Sequence, residues 1–482
     1  MEPLFIGSRR EPMWDDWLID TEETDTPLLL HHPVERECTL FEDPWAQGTS
    51  PYLCVMRDGD QYRMYTAHNG GVTCSVSTDG IHWEQPDLGI AEYEGSLHNS
   101  LIGIIGDGET AYYPADRYVP AFFDGFRMFV DPNPDCLPEE RIKALVSMHS
   151  SLHLLVSVDG FRFRYAGQLA IPAQNPGTPY DSVNTLFYDK NIGKYRAYVR
   201  DYFQASNPAD PIWIRAISAS ESAELFPKSG RWPKAQYLQY DTPNAWQMYI
   251  NSILPYERAD HILVGFPSRY VIRRQWTDNY EELCGSEERR KRAGERLDDR
   301  LGLSVSDTLF MMSRDGYHFK RYPEAFLRPG PEHPRNWVYG SVYFSNGMFE
   351  TPPHHPGCDN ELSFYCMQNR FFPNPPEAWR YSIRLDGFVS RTGVYPESNL
   401  VTKPFIFEGR DLYVNFSTSA YGHMRFKLKD TDGKTITSGE TFGDSTDRRV
   451  RFDGDVAGFA GRPVILSVNM FDADLYAIQF RP

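Results

Sequence analysis

One short phrase recurs along the chain and limits the folds open to it. It reads Ser77-Thr78-Asp79-Gly80-Ile81-His82-Trp83, then Ser157-Val158-Asp159-Gly160-Phe161-Arg162-Phe163, then Ser313-Arg314-Asp315-Gly316-Tyr317-His318-Phe319. A degraded copy, Ser220-Glu221-Ser222-Ala223-Glu224-Leu225-Phe226, lies between the second and the third. Each intact copy has the form Ser-x-Asp-Gly-x-x-aromatic. Asp-Gly takes up the positive φ angles of a tight turn, and the aromatic residue anchors the returning strand. Copies roughly 60 to 95 residues apart predict stacked blades of a β-propeller rather than one sheet.

The rest of the chain agrees with an all-β reading. Tyrosine (29) and phenylalanine (30) are abundant, and Gly and Pro stand at 36 each, which favours many short strands with punctuated turns. A formal net charge of −17 argues against a nucleic-acid binder and against an anionic membrane surface, both of which need a basic face. The seven cysteines are scattered without a CxxC pair, as expected of reduced thiols. Met1-Glu2-Pro3 lacks a basic region followed by an apolar run, and no apolar stretch is long enough to cross a bilayer. These features predict a soluble, cytoplasmic protein.

In chain order, residues 1–48 read as a lead-in. Five blades follow up to residue 393, with strand-like segments beginning near Pro51, Phe126, Tyr180, Gln247 and Tyr339. A charged stretch at about 280–301, rich in Glu and Arg, predicts a surface helix with opposite charges at i,i+4. Beyond Gly393 the strands are spaced as in a β-sandwich. The expectation is a five-bladed β-propeller over 1–393 and a C-terminal β-sandwich domain over 394–482.

This arrangement resembles the invertase and fructosidase glycoside hydrolases (family 32), and its propeller resembles the arabinanase and β-xylosidase group (family 43). The recurring phrase is similar to a shortened sialidase Asp-box. Asp15-Asp16-Trp17-Leu18-Ile19, Asp131-Pro132-Asn133 and Asp472-Ala473-Asp474-Leu475-Tyr476 resemble a divergent bacterial subgroup of propeller glycosidases. The resemblance implies carboxylates at the starts of the innermost strands around a central funnel. Glycoside cleavage needs one acid to protonate the departing oxygen and a second carboxylate as nucleophile or base.

On that footing Val130-Asp131-Pro132 resembles the fructosidase Arg-Asp-Pro and makes Asp131 a transition-state stabiliser; it also reads as a plain Asp-Pro-Asn-Pro turn. Asp181 begins an inner strand where the class places its acid, and also reads as a cap at a strand start. The blade-one carboxylate of the family-43 pattern is missing, since Ser50-Pro51 stands there; Asp43, in Asp43-Pro44-Trp45, is the substitute. Asp307, Glu350 and Glu361 are further acidic candidates, with structural pairing as their plainer use. Arg200, Arg215 and Arg273 would pair with carboxylates or bind an anionic sugar. Trp45, Trp246, Tyr249, Trp337 and Tyr339 fall near blade entrances, where aromatic faces meet sugar C–H groups.

The histidine spacing makes no metal site, and no cofactor is required; a structural calcium in the funnel would fit but is not demanded. The expected function is a glycoside hydrolase acting on a small glycoside or an oligosaccharide chain end. The alternatives are a phosphorylase on the same scaffold, with Arg200 and Arg215 holding phosphate, and a carbohydrate-binding propeller without catalysis. The 280–301 segment is a candidate pocket rim or homo-oligomer contact.

Overall fold

A computed structural model describes residues 2–40, 52–68, 70–109, 113–121, 123, 125–175, 180–204, 213–242, 246–271, 273, 275–295, 300–368 and 377–481. The chain is nearly all β. Among the described residues five mostly antiparallel meander sheets each contribute to a central ring, and a separate three-stranded sheet of Gln247–Met248, Ser268–Val271 and Val305–Thr308 is interleaved in sequence with the fourth. The innermost strands are Leu53–Asp58, Gly125–Val130, Thr185–Asp189, Leu254–Tyr256 and the pair Tyr343–Phe344 and Phe349–Thr351. The first lies against the second, the second against the third, and the third against the fourth. The ring closes where Cys54 bridges Asn346 in parallel fashion.

The ring also closes at its outer edge. The outermost strand of blade 5 is Val34–Leu40, which pairs with Glu377–Arg384 some 340 residues on in sequence. This lets the two ends of the propeller chain share one sheet. Second strands such as Ile142–Met148 are almost wholly buried because every blade is packed between two others.

The recurring phrase folds identically three times. The serine Oγ accepts from the glycine N–H at 2.9, 2.9 and 2.8 Å, and the aspartate Oδ1 accepts from the next two backbone N–H groups at 2.8 Å. The glycines take φ of +73°, +77° and +86°, a region only glycine enters without strain. Each turn is also a rivet between blades. A buried tyrosine from a neighbouring blade donates to the glycine carbonyl: Tyr365 to Gly80, Tyr65 to Gly160 and Tyr198 to Gly316, at 2.9, 3.1 and 2.9 Å. In the degraded copy there is neither aspartate nor glycine, and Ser222 Oγ donates to Glu224 O instead.

The C-terminal sheets are built on two long strands, Asp411–Asp430 and Val464–Arg481. Strands from the chain's first thirty residues join them. Leu4–Gly7 runs parallel to Phe405–Phe407, Glu11–Pro12 pairs with Ala477 and Ile478, and Leu28–Leu30 pairs with Val389–Arg391. Residues 4–30 of the lead-in therefore pair with the C-terminal strands while Val34–Leu40 belongs to blade 5, and Val389–Gly393 also pairs with Val464–Arg481.

Ion pairs weld this domain to the propeller. Asp386 is fully buried and accepts from Arg10 Nη1, Arg258 Nε, Tyr256 Oη and Asn415 Nδ2 at 2.7 to 3.1 Å. Burial alone would raise its carboxyl, but Arg10 and Arg258 hold it below the ordinary value. Glu11 is held likewise by His261, Arg314 and Arg9. The Asp386-Gly387 turn thus serves the domain junction.

The charged insertion forms three short helices, Asp278–Glu282, Ser286–Glu295 and Arg300–Leu303. Tyr280, Leu283 and Leu303 make its small core. No helix among the described residues is long and apolar enough to cross a membrane.

Candidate active site

The five innermost strands define two ends of the propeller, a head where they begin and a tail where they finish. At the head, Tyr52, Tyr249, Tyr270, Tyr339 and Tyr343 pack together with Val183 and Ile250. Tyr339 Oη donates to Tyr249 Oη at 2.6 Å, and Tyr343 stacks on Tyr249 with centroids 5.7 Å apart. Burial, with the neighbouring Tyr339 and Asp181, raises the Tyr249 phenol above its ordinary value, so it stays a proton donor.

Blade 3 supplies the charged groups. Its second strand, Lys194–Gln204, pairs with Trp213–Ser222, and Tyr202 stands opposite Arg215. Arg200, Tyr202 and Arg215 therefore share one face of the sheet. Arg200 is buried, and its Nη1 contacts Asp181 Oδ2 at 2.6 Å and donates to the Asp181 carbonyl at 3.1 Å. A further Arg200 N–H donates to Tyr202 Oη. The two guanidiniums flank the same two rings: Arg200 lies 4.9 and 4.8 Å from the centroids of Tyr202 and Tyr249, and Arg215 5.9 and 5.4 Å. Asp181 itself remains 49% exposed, a carboxylate steered by a buried cation yet open to solvent.

Asp131 is elsewhere. It follows Gly125–Val130 at the tail, whereas Asp181 precedes Thr185 at the head. The start of the blade-2 strand is tied to the head, because a Cβ on Gly125 would lie 2.2 Å from the Ser182 carbonyl oxygen. Six strand residues of about 3.3 Å each put roughly 20 Å between the two aspartates. The Asp131 side chain is wholly buried, contacts Lys143 Nζ at 2.8 Å and accepts from Tyr195 Oη at 2.7 Å. Its Oδ1 accepts from Asn133 N–H, the turn that Asp-Pro-Asn suggests. This removes Asp131 from the funnel set: its neighbours Val130 and Pro132 line the tail cavity while its own carboxylate is consumed between blades 2 and 3.

The tail end has its own cavity of about 420 Å³, lined from all five blades by residues including Arg57, Arg127, Phe187, Glu257 and Phe349. Glu361 and Glu350 belong to this end as well. Glu361 contacts Arg36 at 2.9 Å, and Glu350 accepts from Asn360 at 2.7 Å. Asp307 is paired with Arg269. None of the three reaches the tyrosine cluster. Trp337 is docked under the helical insertion, with its Nε1 donating to Gly330 O and its carbonyl accepting from Arg289. Trp246 lies between the guanidiniums of Arg269 and Arg321, at 5.2 and 4.5 Å. Asp43 and Trp45 lie outside the described residues, as does Asp124, the residue ahead of Gly125 in the chain.

The structure thus brings together Asp181, Arg200, Tyr249 and Tyr339 of the expected set and adds Tyr52, Tyr202, Tyr270 and Tyr343. A sequence signal was present for Tyr52 and Tyr343, which stand at or beside the starts of inner strands in blades 1 and 5, but not for Tyr202 and Tyr270, which lie in other strands. Among the described residues no three His, Cys, Asp or Glu gather where they would hold a metal ion.

No family model matches the sequence, and no curated protein matches it. Solved structures align with the chain only at low TM-scores. The N-acetylgalactosamine deacetylase from F. plautii in complex with blood group B trisaccharide is 12% identical, with a TM-score of 0.35 over 78% of this chain and 94% of that one. The Bombyx mori GH32 beta-fructofuranosidase is 8% identical, with a TM-score of 0.36 over 90% and 91%. The exo-inulinase from Aspergillus awamori is 11% identical, with a TM-score of 0.35 over 92% and 97%. At such distances no residue role passes from those proteins to this chain.

Proposed function

We propose that the protein is a glycoside hydrolase whose substrate enters at the head of the propeller. The observation that carries this reading is Asp181: a half-exposed carboxylate at the start of an innermost strand, oriented by a buried arginine and bordered by tyrosines. As the anionic member of an ion pair, Asp181 suits the role of nucleophile, of base for water, or of stabiliser for an oxocarbenium-like transition state. Asp43, outside the described residues, is the carboxylate we pair with it as proton donor. The tyrosine faces would hold the sugar ring, and their hydroxyls would orient its oxygens.

The test is a panel of aryl glycosides and oligosaccharides against the wild type and Asp181→Asn. Release of reducing sugar by the wild type and its loss in a variant that still melts as a folded protein supports the reading. Full activity in Asp181→Asn removes that residue from catalysis.

One observation favours a second reading, a glycoside phosphorylase. Arg215 has no carboxylate partner among the described residues, and it lies beside Arg200. One carboxylate with two cations is the minimum that phosphorolysis asks of a site. Activity that depends on inorganic phosphate and yields a sugar phosphate would replace the hydrolase reading with this one.

A further inference from the structure

A cavity of about 240 Å³ opens between blades 3 and 4, with Arg215 in its wall. Its walls include Phe203, Tyr237, Tyr240 and Trp246, and two of its lining residues are arginines, Arg215 and Arg321. Arg321 is buried and lies 4.1 Å from the Tyr240 ring centroid. Burial outweighs the nearby Tyr240 and Asp241 and pulls its guanidinium below the ordinary value. Arg215 donates from Nη1 to Gln247 Oε1 at 3.1 Å, while its Nε is buried without a hydrogen-bond partner.

Arg215, partly buried, has no carboxylate partner among the described residues; the buried Arg289 likewise has none and donates from both Nη atoms to backbone carbonyls, whereas Arg215 Nη1 meets the Gln247 side chain. Arg10, Arg63, Arg196, Arg200, Arg380 and Arg391 each face a carboxylate. With 66 acidic residues against 49 basic ones, carboxylates are in excess. Withdrawing a guanidinium from water without an anion is costly, and the cost is removed when a ligand supplies the anion. The cavity is smaller than the roughly 300 Å³ at which drug-sized pockets begin, so it suits one ring or one substituent. Its wall is aromatic, which suits a group attached to a sugar better than a free, fully hydrated ion. A planar guanidinium fork matches a carboxylate with two parallel hydrogen bonds.

We infer that this cavity receives the carboxylate of a sugar acid, so that the preferred substrate carries a uronic acid at the residue bound beside Asp181. The inference rests on the sugar-cleaving reading, and it names the substrate class of that site. Tyr202 and Tyr249 carry both Arg200 and Arg215, so a ring held at Arg215 lies next to the Asp181–Arg200 pair.

Binding of D-glucuronate, D-galacturonate, D-glucose, D-galactose and inorganic phosphate to the intact chain, measured by titration calorimetry, tests this without requiring turnover. A uronate should bind at least about tenfold more tightly than its neutral counterpart. Arg215→Gln should erase that difference, and Arg215→Lys, which keeps charge but not the fork, should recover only part of it; a thermal melt reports folding of both variants. Equal binding of acids and neutral sugars overturns the inference, as does binding of phosphate alone, which would assign Arg215 to phosphorolysis. Cleavage of neutral glycosides without uronate preference overturns it while leaving the hydrolase standing. Arg215-dependent uronate binding without cleavage of any uronide supports the site and overturns the hydrolase.

Discussion

The head and the tail of the inner strands each hold an aspartate in contact with a buried cation, and the two pairs do different work. At the head, Asp181 meets Arg200 at 2.6 Å and keeps half of its side chain in solvent. At the tail, Asp131 meets Lys143 at 2.8 Å with both side chains closed off. Pairing distance does not separate the two aspartates; access does. A buried pair resists loss of either member, because the survivor is left as an isolated charge. In the head pair only the cation is sealed: Arg200 is 2% exposed, while Asp181 keeps an open side from which it can meet a ligand.

Substitutions can break this contrast. The largest effect is expected at Asp181→Asn, which should lower turnover by about 10³- to 10⁴-fold, as loss of a nucleophile or base does, with a smaller loss of stability in urea because the buried Arg200 loses its carboxylate. Asp131→Ala should do the reverse, costing about 3 to 5 kcal/mol in urea denaturation with kcat per folded molecule unchanged. Loss of activity without loss of stability in Asp131→Ala would merge the two ends into one site.

Acid provides the next test. Burial would raise the Glu11 carboxyl, but hydrogen bonding to His261 and the charges of Arg314, His261 and Arg9 bring it down to about 2. The unfolded value is 4.5, so this stabilisation is fully present above about pH 4.5 and disappears as the pH falls toward 2. A Glu11→Gln variant should be less stable at neutral pH by about 3 kcal/mol, and its difference from the wild type should shrink through that window. A constant difference from pH 6 to 2 would contradict the ion-pair account.

The smallest effects concern the rivets between blades. Gly316→Ala would place a Cβ 1.7 Å from Arg196 Nη1 at a φ of +86°, and should cost about 1 to 3 kcal/mol. Tyr198→Phe, which removes only the hydroxyl that reaches the Gly316 carbonyl, should cost about 1 kcal/mol. Neither should alter ligand binding at the head.

Local chemistry was legible. A Ser-x-Asp-Gly turn closes on itself within seven residues, so its geometry can be read from the residues alone. The charged stretch over 280–301 likewise carries its helical preference in its own composition, and the strands of each blade follow from alternation and turn residues. Partnership across the chain was not legible. Nothing around Leu4 or Glu11 indicates that these residues pair with strands more than 390 positions later. Val130-Asp131-Pro132 has the local form of a funnel motif, yet Lys143 and Tyr195 decide its fate, and they reach it from other strands.

The order of residues by itself determined the turns and the alternation of the strands, because these depend on neighbours a few positions apart, and it carries an acidic, aromatic-rich composition. Only the tertiary structure decided which carboxylates face solvent and which are sealed against a cation. That choice is set by how the blades stack about the axis, and the free energy of a charge depends on what surrounds it in space.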